Sequence, residues 1–463
     1  MSLGTNKVRS LIVNRREFIK FTIGGAAAMM MPNYGCSVSE VGEGSKATSE
    51  RPNIIIIMAD DLGYGDVSCY GSTNIRTPNI DALARGGMKF TDYHSNCPVC
   101  SPTRAALLTG RYQQRCGIEG VIYAKGSTRQ TGMALKETTF AEVLKKRGYA
   151  TGIFGKWHLG YNVEFNPARQ GFDEFVGYVS GNVDYHSHLD GAGFEDWWKN
   201  CEKVPEEGYC TDLITKHGID FIERHRDEPF CLYLPHEAPH YPYQGREDPP
   251  ERLNGGKKGR KAKGEEISRA YKEMVEVMDE GIGRIVETVR RLGLERRTFI
   301  FFCSDNGATK NGSNGALSGH KGSLWEGGHR VPAVAYWPGR IKAGTITDKT
   351  VLGMDLFATM VSIAGVKPPA GLKLDGVDIL PVLTEGGELP ERMLFWRYRK
   401  EKAVRKGPWK LLVQGDKVRL FNLEEDLGEK ENLADKKPDM VKQLENELSA
   451  WEQEVSAGVK LRA

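Results

Sequence analysis

What this chain of 463 residues lacks is an excess of charge of either sign, a repeat, and an apolar run of membrane length. Lysine and arginine number 64 against 61 aspartates and glutamates, a formal net charge of +3. That surplus is too small to recruit nucleic acid, or to hold a membrane surface by charge alone. No internal repeat is evident, which excludes a solenoid. The apolar run near the N-terminus is too short to span a bilayer. A C-x-x-C pair at Cys97 and Cys100 has no second pair to complete a zinc site. With 40% hydrophobic and 27% charged residues, the composition is that of a globular protein, long for one domain.

The N-terminus carries an address. Residues 14–31 read NRREFIKFTIGGAAAMMM, with a twin arginine (Arg15, Arg16), then Phe18, Ile19 and Lys20, then the apolar run. This is the layout of an export signal and resembles the twin-arginine (Tat) type. It implies the Tat machinery as a partner and a destination in the periplasm or on the outer surface of a bacterium. Cys36 follows the run, which leaves lipid anchoring after cleavage at residue 36 open. Residues 37–50 are small and polar without an apolar period and read as a flexible tether. Export permits disulfides among the nine cysteines, and Cys201 with Cys210, flanking a short polar loop, is the pair expected first.

Four apolar runs end in polar residues. NIIIIMADD (53–61) ends on Asp60 and Asp61, TFIFFCSDNG (298–307) on Asp305 and Asn306. YATGIFGKWHLG (149–160) ends on Lys156 and His158, and FCLYLPHEAPH (230–240) on His236 and His240. Helical patterns lie between them. Residues 265–292 carry apolar side chains at spacings of three and four and stop at Gly293; residues 138–148 have Thr138 or Thr139 as cap. Strands alternating with helices predict an α/β fold with a mostly parallel central sheet covered on both faces. In such sheets ligands bind at the carboxyl ends of strands, so the four polar clusters should converge. The main domain is expected over 51–365. After a Pro/Gly-rich break, residues 366–463 read as a smaller α+β subdomain with strands at KLLVQ and VRLFNL and a helix from about Pro438.

Asp60, Asp61, Asp305 and Asn306 offer hard oxygen donors, which favour calcium, or less strongly magnesium, over zinc. Arg104, Lys156, His158, His240 and Lys321 supply the opposite charge, and that many cationic or protonatable groups around a divalent cation suit an anionic ligand. Together they point to transfer of a sulfuryl or phosphoryl group. Cys100 stands just before the predicted helix TRAALLTG, where the dipole and free N–H groups favour an anion. A thioredoxin-type site would begin its helix at the first cysteine, so Cys97 is read as a structural thiol or disulfide half.

These segments resemble a known family. CSPTR (100–104) followed by AALLTGR matches the Cys-x-Pro-x-Arg motif of type I, formylglycine-dependent sulfatases, arylsulfatase-like members of the alkaline phosphatase superfamily. GYATGIFGKWHLG, SDNG, APHYP and GHKGSLWEGG match their remaining active-site segments in order. The resemblance implies an alkaline-phosphatase-like fold and oxidation of Cys100 by a dedicated maturase to formylglycine (3-oxoalanine). The hydrated aldehyde would attack sulfur through one hydroxyl and expel sulfate by deprotonation of the other, where a serine ester would be trapped. It further implies that Asp60, Asp61, Asp305 and Asn306, with the modified Cys100, hold calcium. Arg104 and Lys156 would stabilise the hydrate, His158 would take the proton, and His240 and Lys321 would bind sulfate and protonate the leaving oxygen.

Export and sulfatase chemistry together predict a sulfated carbohydrate as substrate, such as carrageenan-like galactan or glycosaminoglycan fragments. Tyr185, His186, His188 and Trp197, in a segment inserted over residues 178–210, are the expected sugar contacts, with His236 as an additional candidate. The basic stretch NGGKKGRKAKG (254–264) is expected to be a solvated loop, able to attract a polyanion. A phosphodiesterase or phosphonate hydrolase on the same scaffold is the rival reading; a non-catalytic glycan-binding protein would result if Cys100 stays unmodified.

Overall fold

The strand Asn53–Ala59 is buried along its whole length. Ile54, Ile56 and Met58 enter one apolar core with Phe299, Phe301 and Tyr233; Ile55, Ile57 and Ala59 enter a second with Ile300, Phe302 and Leu232. A central parallel strand packs on both faces, so its sequence shows no polar alternation. This is a computed structural model, and it describes residues 51–462. The Tat-type segment, Cys36 and the tether lie outside the described residues.

Five strands run parallel and side by side in the order Thr298–Ser304, Asn53–Ala59, Phe230–Pro235, Ala150–Lys156 and Glu174–Tyr178. The four expected strands are therefore adjacent. Their register aligns Ala59 with Ser304 and Met58 with Pro235, so the polar residues that follow leave the sheet at one edge. Ala333–Tyr336 extends the sheet antiparallel beside Thr298–Ser304, and short strands complete it to ten.

Helices Cys100–Thr109, Phe140–Lys146 and Asp355–Ile363 pack on one face, and Cys210–Arg224 and Glu265–Arg291 on the other. Of the two candidate caps it is Thr139 that serves: its hydroxyl accepts from the Glu142 N–H at 3.2 Å while the Glu142 carboxylate accepts from the Thr139 N–H at 2.8 Å. The helix expected to follow Cys100 in fact starts on it, with Val99 as cap residue. Pro102 sits within the first turn, where its missing N–H costs nothing.

A four-stranded antiparallel sheet follows, Met393–Tyr398, Glu401–Lys406, Trp409–Gln414 and Lys417–Asn422, covered by the helix Pro438–Ser456 through Leu444, Leu448, Trp451 and Val455. Buried ion pairs tie it to the large sheet's body: Arg405 to Asp92 at 2.7 Å, and Lys410 to Glu326 at 2.8 Å. The described residues form one compact unit, and among them no helix is long and apolar enough to cross a membrane.

The expected Cys201–Cys210 disulfide is not formed; all described cysteines are free thiols. Cys210 opens a helix and turns inward, its sulfur 3.9 Å from a Glu237 oxygen, while Cys201 sits half-buried in the turn after Trp198–Lys199. Cys97 is likewise a buried thiol, packed in the core of the C-terminal sheet.

Candidate active site

Parallel strands deliver the site. Asp60 and Asp61 follow Ala59, Asp305 and Asn306 follow Ser304, Lys156 closes its strand, and His240 lies five residues past Pro235. Lys321 arrives on a loop that docks backbone against backbone. A Cβ on Gly307 would lie 1.8 Å from the Gly327 carbonyl oxygen, so no other residue fits there. Asp61 and His158 hold positive φ, 66° and 57°. Such strain in non-glycine residues persists where surrounding structure imposes it.

The charges interlock. Arg104, one turn into its helix, donates to Asp305 at 2.8 Å and lies 3.7 Å from Asp60. Lys156 pairs with the same Asp60 oxygen. Lys321 Nζ is 2.6 Å from Asp61 and 3.7 Å from the Cys100 sulfur. His240 Nε2 stands 3.7 Å from Asp61, and Asn306 Nδ2 donates to Asp61 at 2.8 Å. After these contacts Asp60 Oδ1 and Asn306 Oδ1 remain buried without a partner. Orphaned buried oxygens are costly and call for an explanation. Ligand atoms of Asp60, Asp61, Cys100 and His240 fall within 4.8 Å of one another. The acidic cluster can hold a metal ion, and its oxygen donors fit a hard divalent cation.

Burial, then the neighbouring Asp305, pushes the Asp60 carboxyl up to about 8 against the pull of Lys156. Such a group asks for a cation. For Asp61 burial works in the same direction, but Lys321 and His240 outweigh it and hold the carboxyl at about 2. Burial raises the Cys100 thiol above its ordinary value despite Lys156 and Lys321; an unmodified Cys100 is thus a protonated thiol at neutral pH and a poor nucleophile. His158 and His240 are held well below the usual imidazole range by burial, then by Lys156 and Lys321 respectively. Both are neutral. His158 Nε2–H donates to the Ile122 carbonyl at 3.0 Å, which leaves Nδ1 as an unpartnered acceptor. His240 Nδ1–H donates to the Tyr241 carbonyl at 2.7 Å and turns Nε2 toward Asp61.

Cys100, His158, His240 and Lys321 open onto a cleft of about 440 Å³. Its walls include Tyr123, Lys125, Tyr161, Asn182, Tyr241 and Tyr398, none of which the sequence singles out. Only Tyr241, beside His240 in the APHYP segment, carried a local signal.

The remaining sequence candidates fall elsewhere. Tyr185, His188 and Trp197, expected as exposed sugar contacts, are buried. Trp197 stacks on His188 at 4.4 Å and Tyr185 on Tyr209 at 5.3 Å, which holds the inserted segment together, and His188 and Trp197 line, with His186, a cavity that shares no residue with the cleft. Tyr185 supports the site indirectly, donating to the His240 carbonyl at 3.0 Å. His186 is half-buried, donates to the Gly245 carbonyl at 3.1 Å and lines a separate cavity. His236 is buried, and burial lowers it to about 4 with Asp212 its charged neighbour, away from the carboxylate cluster. The basic stretch forms part of an exposed hairpin, Arg252–Leu253 with Lys257–Lys258.

Comparison with known proteins agrees with this geometry. The sulfatase family model matches residues 52–366, and that of the N-sulphoglucosamine sulphohydrolase C-terminal region matches residues 320–454. The N-acetylgalactosamine-6-sulfatase of Mus musculus is 35% identical over 397 residues, covering 81% of this chain and 74% of that protein. Arylsulfatase A of Homo sapiens is 34% identical over 411 residues, covering 79% and 75%. The crystal structure of Ps i-CgsB in complex with k-i-k-neocarrahexaose superposes with a TM-score of 0.79 at 31% identity, covering 89% of this chain and 94% of that one. The fold is accordingly alkaline-phosphatase-like. From its motifs, its interlocked charges and these relatives, the chain belongs to the sulfatase family, the hydrolases of sulfuric esters.

Proposed function

We propose that this protein is an exported, calcium-dependent sulfatase that removes sulfate from sulfated carbohydrate, with Cys100 matured to formylglycine as its nucleophile. The observation that carries the reading is the setting of Cys100. It is a buried, protonated thiol at a helix start, 3.7 Å from Lys321 and within ligand reach of Asp60, Asp61 and His240. As a thiol it is inert there, whereas a hydroxyl-bearing group in its place would meet a metal, a lysine and a histidine together. The relatives named for N-acetylgalactosamine 6-sulfate and the solved neighbour bound to a neocarrahexaose support a sugar substrate. The twin-arginine segment supports export.

Asp60, Asp61, Asp305 and Asn306 would hold calcium, which when bound supplies charge to polarise sulfate oxygens and lower the pKa of the nucleophilic hydroxyl. Formylglycine, when present at position 100, supplies a hydrated aldehyde with two hydroxyls. The chain's own residues do the rest. Lys321 and His240 line the cleft beside Cys100; the Lys321 ammonium binds sulfate oxygens and donates toward the leaving oxygen, and His240 joins it as a donor through Nε2 once an anion in the cleft has drawn a proton onto that nitrogen. His158, neutral with Nδ1 free, accepts a proton. Arg104 and Lys156 neutralise Asp305 and Asp60, keeping three carboxylates together at the strand ends.

Mass spectrometry of the peptide carrying Cys100 tests maturation: formylglycine is about 18 Da lighter, one sulfur and two hydrogens being lost and one oxygen gained. A panel of sulfated oligosaccharides, aryl sulfates and phosphate esters tests the substrate. Release of sulfate from sugars is expected. Turnover of aryl sulfates alone, or preference for phosphate esters, would overturn the proposal.

A further inference from the structure

The catalytic cleft has no carboxylate among its lining residues. The neighbouring cavity at His186 is different, lined by Glu195, Asp196, Glu206 and Glu207. At the reacting end of the cleft the cations are accounted for, since Lys321 pairs with Asp61 beside Cys100. At the mouth they are not. Lys125 lines the cleft, is exposed, and pairs with no carboxylate among the described residues. A second cation, from the C-terminal sheet, does not line the cleft itself but stands against two tyrosines that do. Arg399, at the tip of the hairpin joining Met393–Tyr398 to Glu401–Lys406, lies over the Tyr398 ring at 5.1 Å and beside the Tyr123 hydroxyl. Its polar neighbours are the hydroxyls of two tyrosines rather than an acid.

Cys100 is 2% exposed, whereas Tyr123 and Tyr241 on the same cleft are 51% and 50% exposed. The cations at the mouth therefore stand at a different depth from the sulfate being cleaved. Large exposed rings beside cations that have no acidic partner suit a sugar face and an anion attached to it. We infer that Lys125 and Arg399 form an anion subsite at the mouth of the cleft, selecting glycans with a second anionic group, sulfate or carboxylate, on the sugar next to the one being desulfated. Tyr123 and Tyr241 pack against the sugars between the two anions. This subsite rests on the carbohydrate sulfatase reading given above.

The test compares the matured enzyme on three disaccharides that share one scissile sulfate. One has no further charge, one carries a second sulfate, and one carries a uronic carboxylate. Exposed ion pairs of this kind give roughly a two- to fivefold effect each, so kcat/KM for the doubly charged substrates should exceed the singly charged one by about tenfold at low salt. That ratio should fall toward unity in Lys125→Met/Arg399→Met, through KM rather than kcat, with aryl sulfate turnover unchanged, and the advantage should shrink as ionic strength rises. The more favoured of the two doubly charged substrates identifies the anion. An unchanged ratio in the double variant overturns the subsite, as does a loss that follows Lys257→Met/Lys258→Met instead. No cleavage of any of the three, with aryl sulfates still turned over, refutes the carbohydrate reading itself. Binding of the doubly charged disaccharide to Cys100→Ala protein should weaken by a similar factor on removing the two cations, independently of turnover.

Discussion

Lys410 reaches from the C-terminal sheet into the body of the large sheet, and replacing it with methionine isolates what it holds. Its ammonium is fully buried, 2.8 Å from Glu326 and 2.8 Å from Glu429, both also fully buried. Glu326 is held well below its ordinary value: burial opposes ionisation, and Lys410, then His94 and His329, overcome it. Glu429 goes the other way, raised by burial despite Lys410. Lys410→Met therefore strands the Glu326 charge. Breaking a buried pair costs about 3–5 kcal/mol, and Arg330, 3.3 Å from Glu326, moves the expectation to the lower end. At this length a loss of about 3 kcal/mol lowers Tm by roughly 3–4 °C. The pH dependence has a definite sign. A depressed carboxyl contributes stability above its unfolded value near 4.5, which is lost as pH falls through its folded value. The gap between wild type and variant should be full at pH 7 and narrow below about pH 4.5. Glu429→Gln should cost less than Lys410→Met, since burial already disfavours the Glu429 charge. Chemical denaturation at pH 4 and pH 7 reads all of this. A loss below about 1 kcal/mol for Lys410→Met, or one that does not change with pH, would refute the reasoning.

Three further outcomes follow from the site and its supports. His158→Ala should lower kcat by about 10²–10⁴ with little change in KM; a shift confined to KM would assign it to binding instead. Exhaustive chelation should abolish sulfate release and lower Tm, and returning calcium at about 100 times its Kd should restore about 2.7 kcal/mol of stability. Full activity after chelation would remove the metal from the reading. Trp197→Ala should cost about 3–5 kcal/mol through its lost stack and burial, while KM for a sulfated sugar stays within about twofold. A raised KM at unchanged stability would restore Trp197 as a sugar contact.

The strands were legible because two-sided burial writes itself as unbroken apolar runs, as in Ile54 to Ile57, and because each run ended on charge. Parallel pairing then turned sequence-distant polar stops into neighbours, and Asp61 meets Asn306 at 2.8 Å as the strand ends imply. The first two strands of the C-terminal sheet were not legible. MLFWRY and EKAVRK mix aromatics with lysine and arginine, because Arg405 points inward to Asp92 where an apolar residue would be expected. The cleft walls were hidden for another reason. Tyr123, Tyr161 and Tyr398 come from separate turns and one distant hairpin, and no local pattern marks a residue whose role is set by where a loop lands. Tyr185 and Trp197 misled in the opposite sense: aromatics in a long insertion were as well suited to packing as to recognition, and packing claimed them.

The burial of Cys100 bears on when it can be altered. Its side chain is 2% exposed on a helix whose every residue is buried, so a second enzyme could not seat the surrounding CSPTR segment in its own active site once the sheet has closed. Under the proposed maturation the conversion must come while the chain is still nascent or unfolded. A Tat route, carrying folded cargo, would then confine the maturase to the cytoplasmic side, and a batch expressed faster than that enzyme can work would leave the cell folded, intact and permanently inert.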